Sequence, residues 1–330
     1  MSNIETEIKL SILLTVVSGV EAVRRCLTVL SPQIDFADSE IIVPFDKWSA
    51  TVGDLATAFP KVRFHFVEDL GLAKCADISA HEHRLYDRRR AVGLWLSRGK
   101  IVAMTEDHAI PADHWCQQIL AAHEQPHTVI GGAIENMVDR PLNWAWYYCD
   151  FGRYGRPFEN GEAEYVSDIN ISYKRDALES VRDVWRDAYH ETTVHWALQN
   201  RGTKLFLDEK IVVFQNRPPL SLKKIWRERF DWGRIFAETR ANEMSFTKRF
   251  IYAAGAIFLP PLLLKRAVKN MRRQKRTARQ ILSVAPYLLL LLTGWSVGEF
   301  TGYLLGEPAA QTDDLKISAH DGIVADSFQK

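Results

Sequence analysis

Apolar and polar positions along the first half of the chain follow two alternating periods. Leu10–Val17 (LSILLTVV) is a continuous apolar run of strand length, the pattern of a strand buried on both faces. Glu21–Leu30 then carries Val23, Cys26, Leu27 and Leu30 at helical spacing. Glu40–Val43, ended by Pro44, and Val62–Val67 predict two more strands. Arg88–Leu96 predicts a basic and apolar helix, Ile101–Thr105 (IVAMT) a strand, Trp115–Ala122 a helix and Val129–Ile134 a strand. Strands alternating with helices predict an α/β fold, a mostly parallel sheet with helices on both faces. Ligands of such sheets bind beyond the carboxyl ends of the strands, here just after Val17, Val43, Val67 and Thr105.

Beyond Asn136 the alternation weakens. Leu142–Phe151 (LNWAWYYCDF) is dense in aromatics, and Gly152–Glu164 reads as a loop. Val184–Gly202 predicts one helix that ends at Gly202, and Phe206–Phe214 a strand. From Phe250 the composition turns to long apolar runs. The expected division is a catalytic domain over 1–247 and a helical, membrane-associated tail over 248–330. In the tail, Ile251–Leu264 carries Pro260-Pro261, and as a helix it reaches only about 21 Å. The hydrocarbon core is about 30 Å thick, so this segment is expected in the interface. Ile281–Leu305 is long enough to span, although it holds Pro286 and Glu299. The linker 265–279 (KRAVKNMRRQKRTAR) is strongly basic and is expected on the cytoplasmic side, against anionic lipid heads.

Charge and composition add limits. The 42 basic residues balance 41 acidic ones, so no nucleic-acid partner is indicated. Cys26, Cys75, Cys116 and Cys149 stand too far apart for a zinc site or a dense disulfide framework, which suits a reducing compartment. Met1–Lys9 is polar and acidic, without the pattern of a signal peptide.

Three acidic positions carry candidate chemistry. Thr105-Glu106-Asp107-His108 follows the fourth strand, where carboxylates suit Mg²⁺ or Mn²⁺, or else begin a solvated turn. Asp46, after the second strand, either accepts from a base N–H or closes an Asx-type turn. Glu191 either serves as a general base or complements a helix dipole. His81, Glu82 and His83 read as a solvated helix or loop.

Together these segments resemble the family-2 inverting glycosyltransferases of the GT-A fold, and in particular their membrane-associated bacterial-type members, over roughly Leu10 to Gly306. VEAVRRCLTVL resembles the family's first helix. EIIVPFD resembles the strand ending in a base-binding Asp, which falls on Asp46. RRRAVGLWLSRGKIVAMTEDHAIPADHW resembles the stretch from the nucleotide-holding Arg to the metal motif. That Arg falls on Arg90 or its neighbour Arg89, and the metal-binding Asp falls on Asp107, preceded by Glu106. SDINISYKRDAL resembles the acceptor-side segment, with Asn170, Ser172, Lys174 and Arg175. HETTVHWALQNRG, aligned on Leu198 and Gly202, puts Glu191 at the base position. Trp144, in the aromatic-rich stretch, and Arg234, near the place of the processive Gln-x-x-Arg-Trp motif, are assigned to the acceptor side. WSVGEFTGYLLG resembles the ending of membrane-linked members.

The chain departs from the family at several points. Ser18-Gly19 replaces a Pro-Thr turn, His108 stands for a third carboxylate, His190 for the first paired acid, and Gln-x-x-Arg-Trp is absent. What the resemblance implies is one transfer per encounter. A divalent cation (Mn²⁺ or Mg²⁺) on Asp107 holds the diphosphate of a nucleotide-sugar donor, and Glu191 deprotonates a lipid-linked or glycan acceptor. The expected place is the cytoplasmic face of the cell membrane. The alternative is a membrane-bound scaffold with a decayed donor site. A nucleotidyltransferase needs a Gly-rich phosphate loop early in the chain, and none follows Leu10–Val17.

Overall fold

Every residue from Leu10 to Thr15 is buried, and the strand they form, β1, lies inside the sheet with partners on both edges. The computed structural model describes residues 7–36, 38–67, 78–241 and 244–305; at 35, 36, 78–83 and 239 only the backbone is described. His81, Glu82 and His83, and most of the long stretch before Arg88, therefore lie outside the described side chains.

After β1 (Leu10–Thr15) come α1 (Val20–Leu30), β2 (Ser39–Phe45), β3 (Val62–Phe66), α2 (Ile78–Leu96) and β4 (Ile101–Glu106). Short β5 (Ala109–Pro111) leads to α3 (Trp115–His123), β6 (Val129–Asn136), α4 (Pro141–Asp150) and β7 (Gly161–Ala163). Next are β8 (Asn170–Lys174), α5 (Arg175–Ser180), α6 (Arg182–Trp185), α7 (Glu191–Asn200) and β9 (Leu205–Gln215). Four helices follow: α8 (Leu222–Ala241), α9 (Phe246–Ala256), α10 (Leu259–Arg273) and α11 (Ala278–Leu305).

The strands make a nine-stranded sheet in the order β3-β2-β1-β4-β8-β6-β9-β5, with β7 on β9. The α/β class is as expected, but the sheet is mixed rather than mostly parallel. β3, β2, β1, β4 and the pair β6–β9 run parallel, whereas β8 is antiparallel to both β4 and β6. β8 was legible as a strand, because Ile169, Ile171 and Tyr173 alternate with Asn170, Ser172 and Lys174. It reads instead as a recognition segment when only its polar positions are compared.

Other boundaries moved for local reasons. The single helix expected over 184–202 is two, α6 and α7, with a non-helical turn at 186–190 that starts α7 at Glu191. Its expected end holds: Gly202 has φ +83°, the left-handed region that a C′ glycine tolerates. Pro260 and Pro261 do not break a helix. They sit in the first turn of α10, where missing N–H groups cost nothing, and the chain bends by 56° between α9 and α10.

The chain forms two compact units: Met1–Pro219 with Asn270–Thr277, and Leu220–Lys269 with Ala278–Lys330. The second unit starts before the expected boundary at 247 because α8 packs along α11. Glycines allow that approach. A Cβ at Gly298 would stand 2.1 Å from Phe230 O, and one at Gly233 2.2 Å from Trp295 O. Ser296 Oγ donates to Ala256 O of α9 (2.6 Å), and Glu299, nearly buried, accepts from Trp295 Nε1 one turn away. α11 is long and apolar enough to cross a membrane, and Pro286 is accommodated inside it.

Gly298→Val is therefore expected to destabilise the second unit by about 1–3 kcal/mol, through overpacking against α8. Thermal unfolding in detergent, followed by tryptophan fluorescence, measures it. An unchanged Tm would mean that α8 and α11 do not need this close approach.

Candidate functional site

Sheet register decides which loops meet. β1 and β4 pair in parallel with Thr15 opposite Glu106, so the turn after β1 lies beside Asp107. β4 and β8 pair in antiparallel fashion with Thr105 opposite Asn170, so the loop entering β8 arrives at the same end. α2 and the start of α7 complete the wall.

Asp107 is fully buried. Its Oδ2 accepts from the backbone N–H groups of Val17 (2.9 Å), Ser18 (2.7 Å) and Gly19 (3.1 Å). The departure at Ser18-Gly19 has a reason here. Gly19 has φ +93°, which turns its N–H toward the carboxylate and favours glycine. Asp107 Oδ1 is buried and takes no hydrogen bond, with His108 Nδ1 3.4 Å away.

His108 bridges the acidic pair, its Nε2 lying 3.0 Å from Glu106 Oε2. Burial lowers the pKa of this imidazole, but Glu106 and Asp107 outweigh burial and raise it above the ordinary value. Burial alone would raise Glu106, yet His108 and Arg90 bring it down to about 2. His108 is thus buried between the two carboxylates, with Nε2 on Glu106 and Nδ1 toward Asp107 and Ser18.

Arg90 stands at the centre. Its Nη2 reaches Glu106 Oε1 (2.6 Å) and Asp168 Oδ2 (2.9 Å), and its Nη1 reaches Asp87 Oδ1 (3.2 Å). A guanidinium presents several donors in a fixed fork, so one side chain can join three carboxylates. Despite Arg90, burial pushes Asp87 up to about 7. Asp168 in turn holds the expected base: its backbone N–H donates to Glu191 Oε2 (3.1 Å). Burial, the Asp168 carboxylate and the hydrogen bond between the two groups hold Glu191 well above the usual carboxylate range.

Several expected placements need correction. Asp46 is engaged by groups of the chain itself. Asp46 Oδ2 takes Arg89 Nε (2.9 Å) and Nη2 (2.8 Å), and Oδ1 takes the Trp48 N–H (2.8 Å), so the Asx-turn alternative holds. Arg89 is engaged by that pair and by Val16 O (2.5 Å), and Arg90 by its three carboxylates through Nη1 and Nη2, while Arg90 Nε is buried without a hydrogen-bond partner. Asn170 and Ser172 are buried stitches of the sheet. Asn170 accepts from Trp115 Nε1 and donates to Ala133 O and Ile211 O, each at 2.9 Å, and Ser172 Oγ lies 2.8 Å from His123 Nε2. The inward positions of a strand buried on both faces must satisfy their polar atoms internally. Trp144 is covered by Arg276 at 3.7 Å and donates to Asp139 Oδ1 (2.8 Å). Arg234 pairs with Glu238 (3.2 Å) along α8, in the second unit.

The structure brings Glu106, Asp107, Arg90 and Glu191 into one place and adds Asp87, Asp168 and Arg217. Arg217, just past β9, lies over the Trp146 ring at 4.3 Å, and its charge acts on both Glu106 and His108. No short motif marks these three additions.

No family model and no curated protein sequence matches this chain significantly. Similar solved structures include a mannosyltransferase, PcManGT of Pyrobaculum calidifontis, in complex with GDP-Man and Mn²⁺, at 13% identity, covering 88% of this chain and 86% of that one, with TM-score 0.49. S. aureus TarS 1-349 in complex with UDP-GlcNAc is 12% identical, with 90% and 92% covered and TM-score 0.45. Glucosyl-3-phosphoglycerate synthase of Mycobacterium tuberculosis, in complex with phosphoglyceric acid, is 12% identical, with 67% and 75% covered and TM-score 0.46. Likenesses at this level assign no residue and no substrate to this chain.

Asp107→Asn keeps an oxygen for the three N–H groups but removes the charge. The expected loss is roughly 1.5–3 kcal/mol, the worth of hydrogen bonds to a charged group. A urea titration reads it, and an unaltered midpoint would show that the turn after β1 does not depend on the carboxylate.

Proposed function

We propose that the chain is a glycosyltransferase that moves a sugar from a nucleoside-diphosphate donor to an acceptor hydroxyl, by inverting single displacement at a membrane surface. The observation that supports this reading most is the link through Arg90. One guanidinium ties Glu106, at the end of the acidic motif, to Asp168, whose backbone holds Glu191. The donor-side motif and the base thus share one site, at the strand ends where an α/β sheet binds ligands.

The residues fit a divalent ion at one position. Asp107 Oδ1 is a buried carboxylate oxygen without a hydrogen bond. Among the described residues, no three His, Cys, Asp or Glu side chains gather as a metal site. Such an ion would draw its other ligands from donor phosphates and water, as magnesium-type ions do. When bound, it would neutralise charge on the departing diphosphate. Arg217 supplies fixed positive charge on the same side.

Glu191 takes the acceptor's hydroxyl proton, and the freed oxygen attacks the anomeric carbon opposite the diphosphate. The fixed charges need no reorganisation as the leaving group departs, which is the main source of rate in such sites. A thermal-shift screen against a panel of nucleotide sugars with Mn²⁺ tests the reading. Stabilisation by none of them would leave the scaffold alternative.

The second unit supports the membrane part. Phe246, Phe250, Ile251, Ile257 and Phe258 are all at least 60% exposed, and so is Leu282 on α11. On α10, Leu262, Lys265, Lys269 and Arg272 recur at helical spacing and form one stripe that turns from apolar to basic. Not all of the basic segment is available to lipid. Within the first unit, Arg273 donates to the carbonyls of Gly152, Arg153 and Gly155, and Arg276 covers Trp144.

Two measurements follow. Glu191→Gln is expected to keep donor binding and to lose 10²–10⁴-fold in transfer, roughly the contribution of a general base. Transfer near the wild-type rate would place the base elsewhere. High-salt washing should leave the full chain on membranes and detergent should release it, because buried apolar side chains, unlike about 1 kcal/mol per surface-bound Lys or Arg, are not screened. Protein in the soluble fraction without detergent would refute membrane association.

A further inference from the structure

Asp168 lies in the segment SDINISYKRDAL without a role assigned to it there, yet it touches both halves of the site. Its carboxylate rests on Arg90 (2.9 Å), which itself is fixed to Glu106 and Asp87. Its backbone N–H holds Glu191 Oε2 (3.1 Å), which brings the two carboxyl groups together. Two ionised carboxylates so placed repel, and one proton shared between them relieves the repulsion.

We propose that Asp168 is the positioning residue of the base: anchored on Arg90, it aims Glu191 and shares a proton with it. This inference rests on the transferase reading. Burial and the neighbouring Asp168 hold Glu191 well above the usual carboxylate range, so the shared proton resides on Glu191 in the resting site. Once that proton is lost, Asp168 beside it makes Glu191 a stronger base than an isolated carboxylate. The acceptor O–H bond then breaks toward Glu191 as the new glycosidic bond forms. The bond to the diphosphate oxygen breaks with its electron pair. Glu191 returns the proton to solvent after the product leaves.

The groups facing the pair are few. α2 supplies Arg90 and Asp87, the end of β4 supplies Glu106 with His108 behind it, and His190 precedes Glu191. Tyr154, Tyr173 and Tyr189 also lie within electrostatic reach. Burial and Asp168 raise Glu191, so the base becomes competent only as pH rises through its elevated pKa. The acid limb of the rate profile should therefore lie above the ordinary carboxylate range. Removing the Asp168 charge should move it down.

The test uses the full chain in detergent. An infrared pH titration of the wild type should show a carboxyl that ionises above the ordinary range and is missing in Glu191→Gln. In Asp168→Asn the same carboxyl should ionise at lower pH, and in Asp168→Glu it should stay elevated. Asp168→Ser is carried in parallel, so that loss of fold in one variant leaves another to read. With the nucleotide sugar that the wild type consumes fastest in a panel, kcat in Asp168→Asn should fall on the order of tenfold at high pH, with donor KM unchanged. Asp87 contributes a second elevated carboxyl that persists in every variant, so the proposal is overturned if Glu191→Gln removes no elevated carboxyl, or if the one it removes does not move in folded Asp168→Asn or Asp168→Ser. If no nucleotide sugar is consumed while both titrations behave as stated, the transferase reading fails and the carboxyl pair stands.

Discussion

A guanidinium buried among carboxylates organises the first unit. Arg90 is 5% exposed and meets Asp87, Glu106 and Asp168 from three different segments of the chain. Each of those carboxylates would be costly to bury alone, and so would Arg90. Together they satisfy one another, and the loop before β8 is thereby tied to α2 and to the end of β4. The excess of acid over base in this cluster has a consequence: protons are retained, on Asp87 near neutrality and on Glu191. A structural ion cluster thus becomes a chemical one.

The acidic motif divides its labour. Asp107 gives one oxygen to the turn after β1, which explains why Ser18-Gly19 suffices there: what that turn supplies is three backbone N–H groups and a positive φ. The remaining oxygen is left without a donor, next to His108. Glu106 points the other way, to Arg90. Neighbouring side chains of a strand project to opposite faces, so adjacent acids reach different partners. His108, in the place of a carboxylate, sits between the two acids.

The second unit is held by different means. Glycines at 233, 298 and 302 let α8 and α11 approach through their backbones, and Glu299 is shielded by Trp295. Small residues at a close helix contact serve equally in water and in lipid, where apolar burial gives no drive toward association. Leu288, Leu291 and Leu292 of α11 are buried, while Leu282, Leu289 and Leu290 remain on the outside.

Leu10–Thr15, Ile101–Glu106 and the helices between them were legible in the sequence, because their periodicity is local and strong. The helix ending at Gly202 was legible too, since φ limits act on single residues. The residue types of the site, Glu106, Asp107 and Glu191, could also be picked out along the chain. Their partners could not. Asp46 meets Arg89 across 43 positions, Asp107 meets the turn after β1 across about 90, and Asp168 meets Arg90 across the whole of β4–β8. Whether a polar residue faces a ligand or closes a gap in the core depends on which element lies opposite. Asn170 and Ser172 show this, since β8 is inserted between β4 and β6 and their side chains are consumed there. Pattern alone determined the strands and the acidic motif; the pairing of distant strands decided which charges meet, because that pairing is a property of the folded sheet and not of any segment in it.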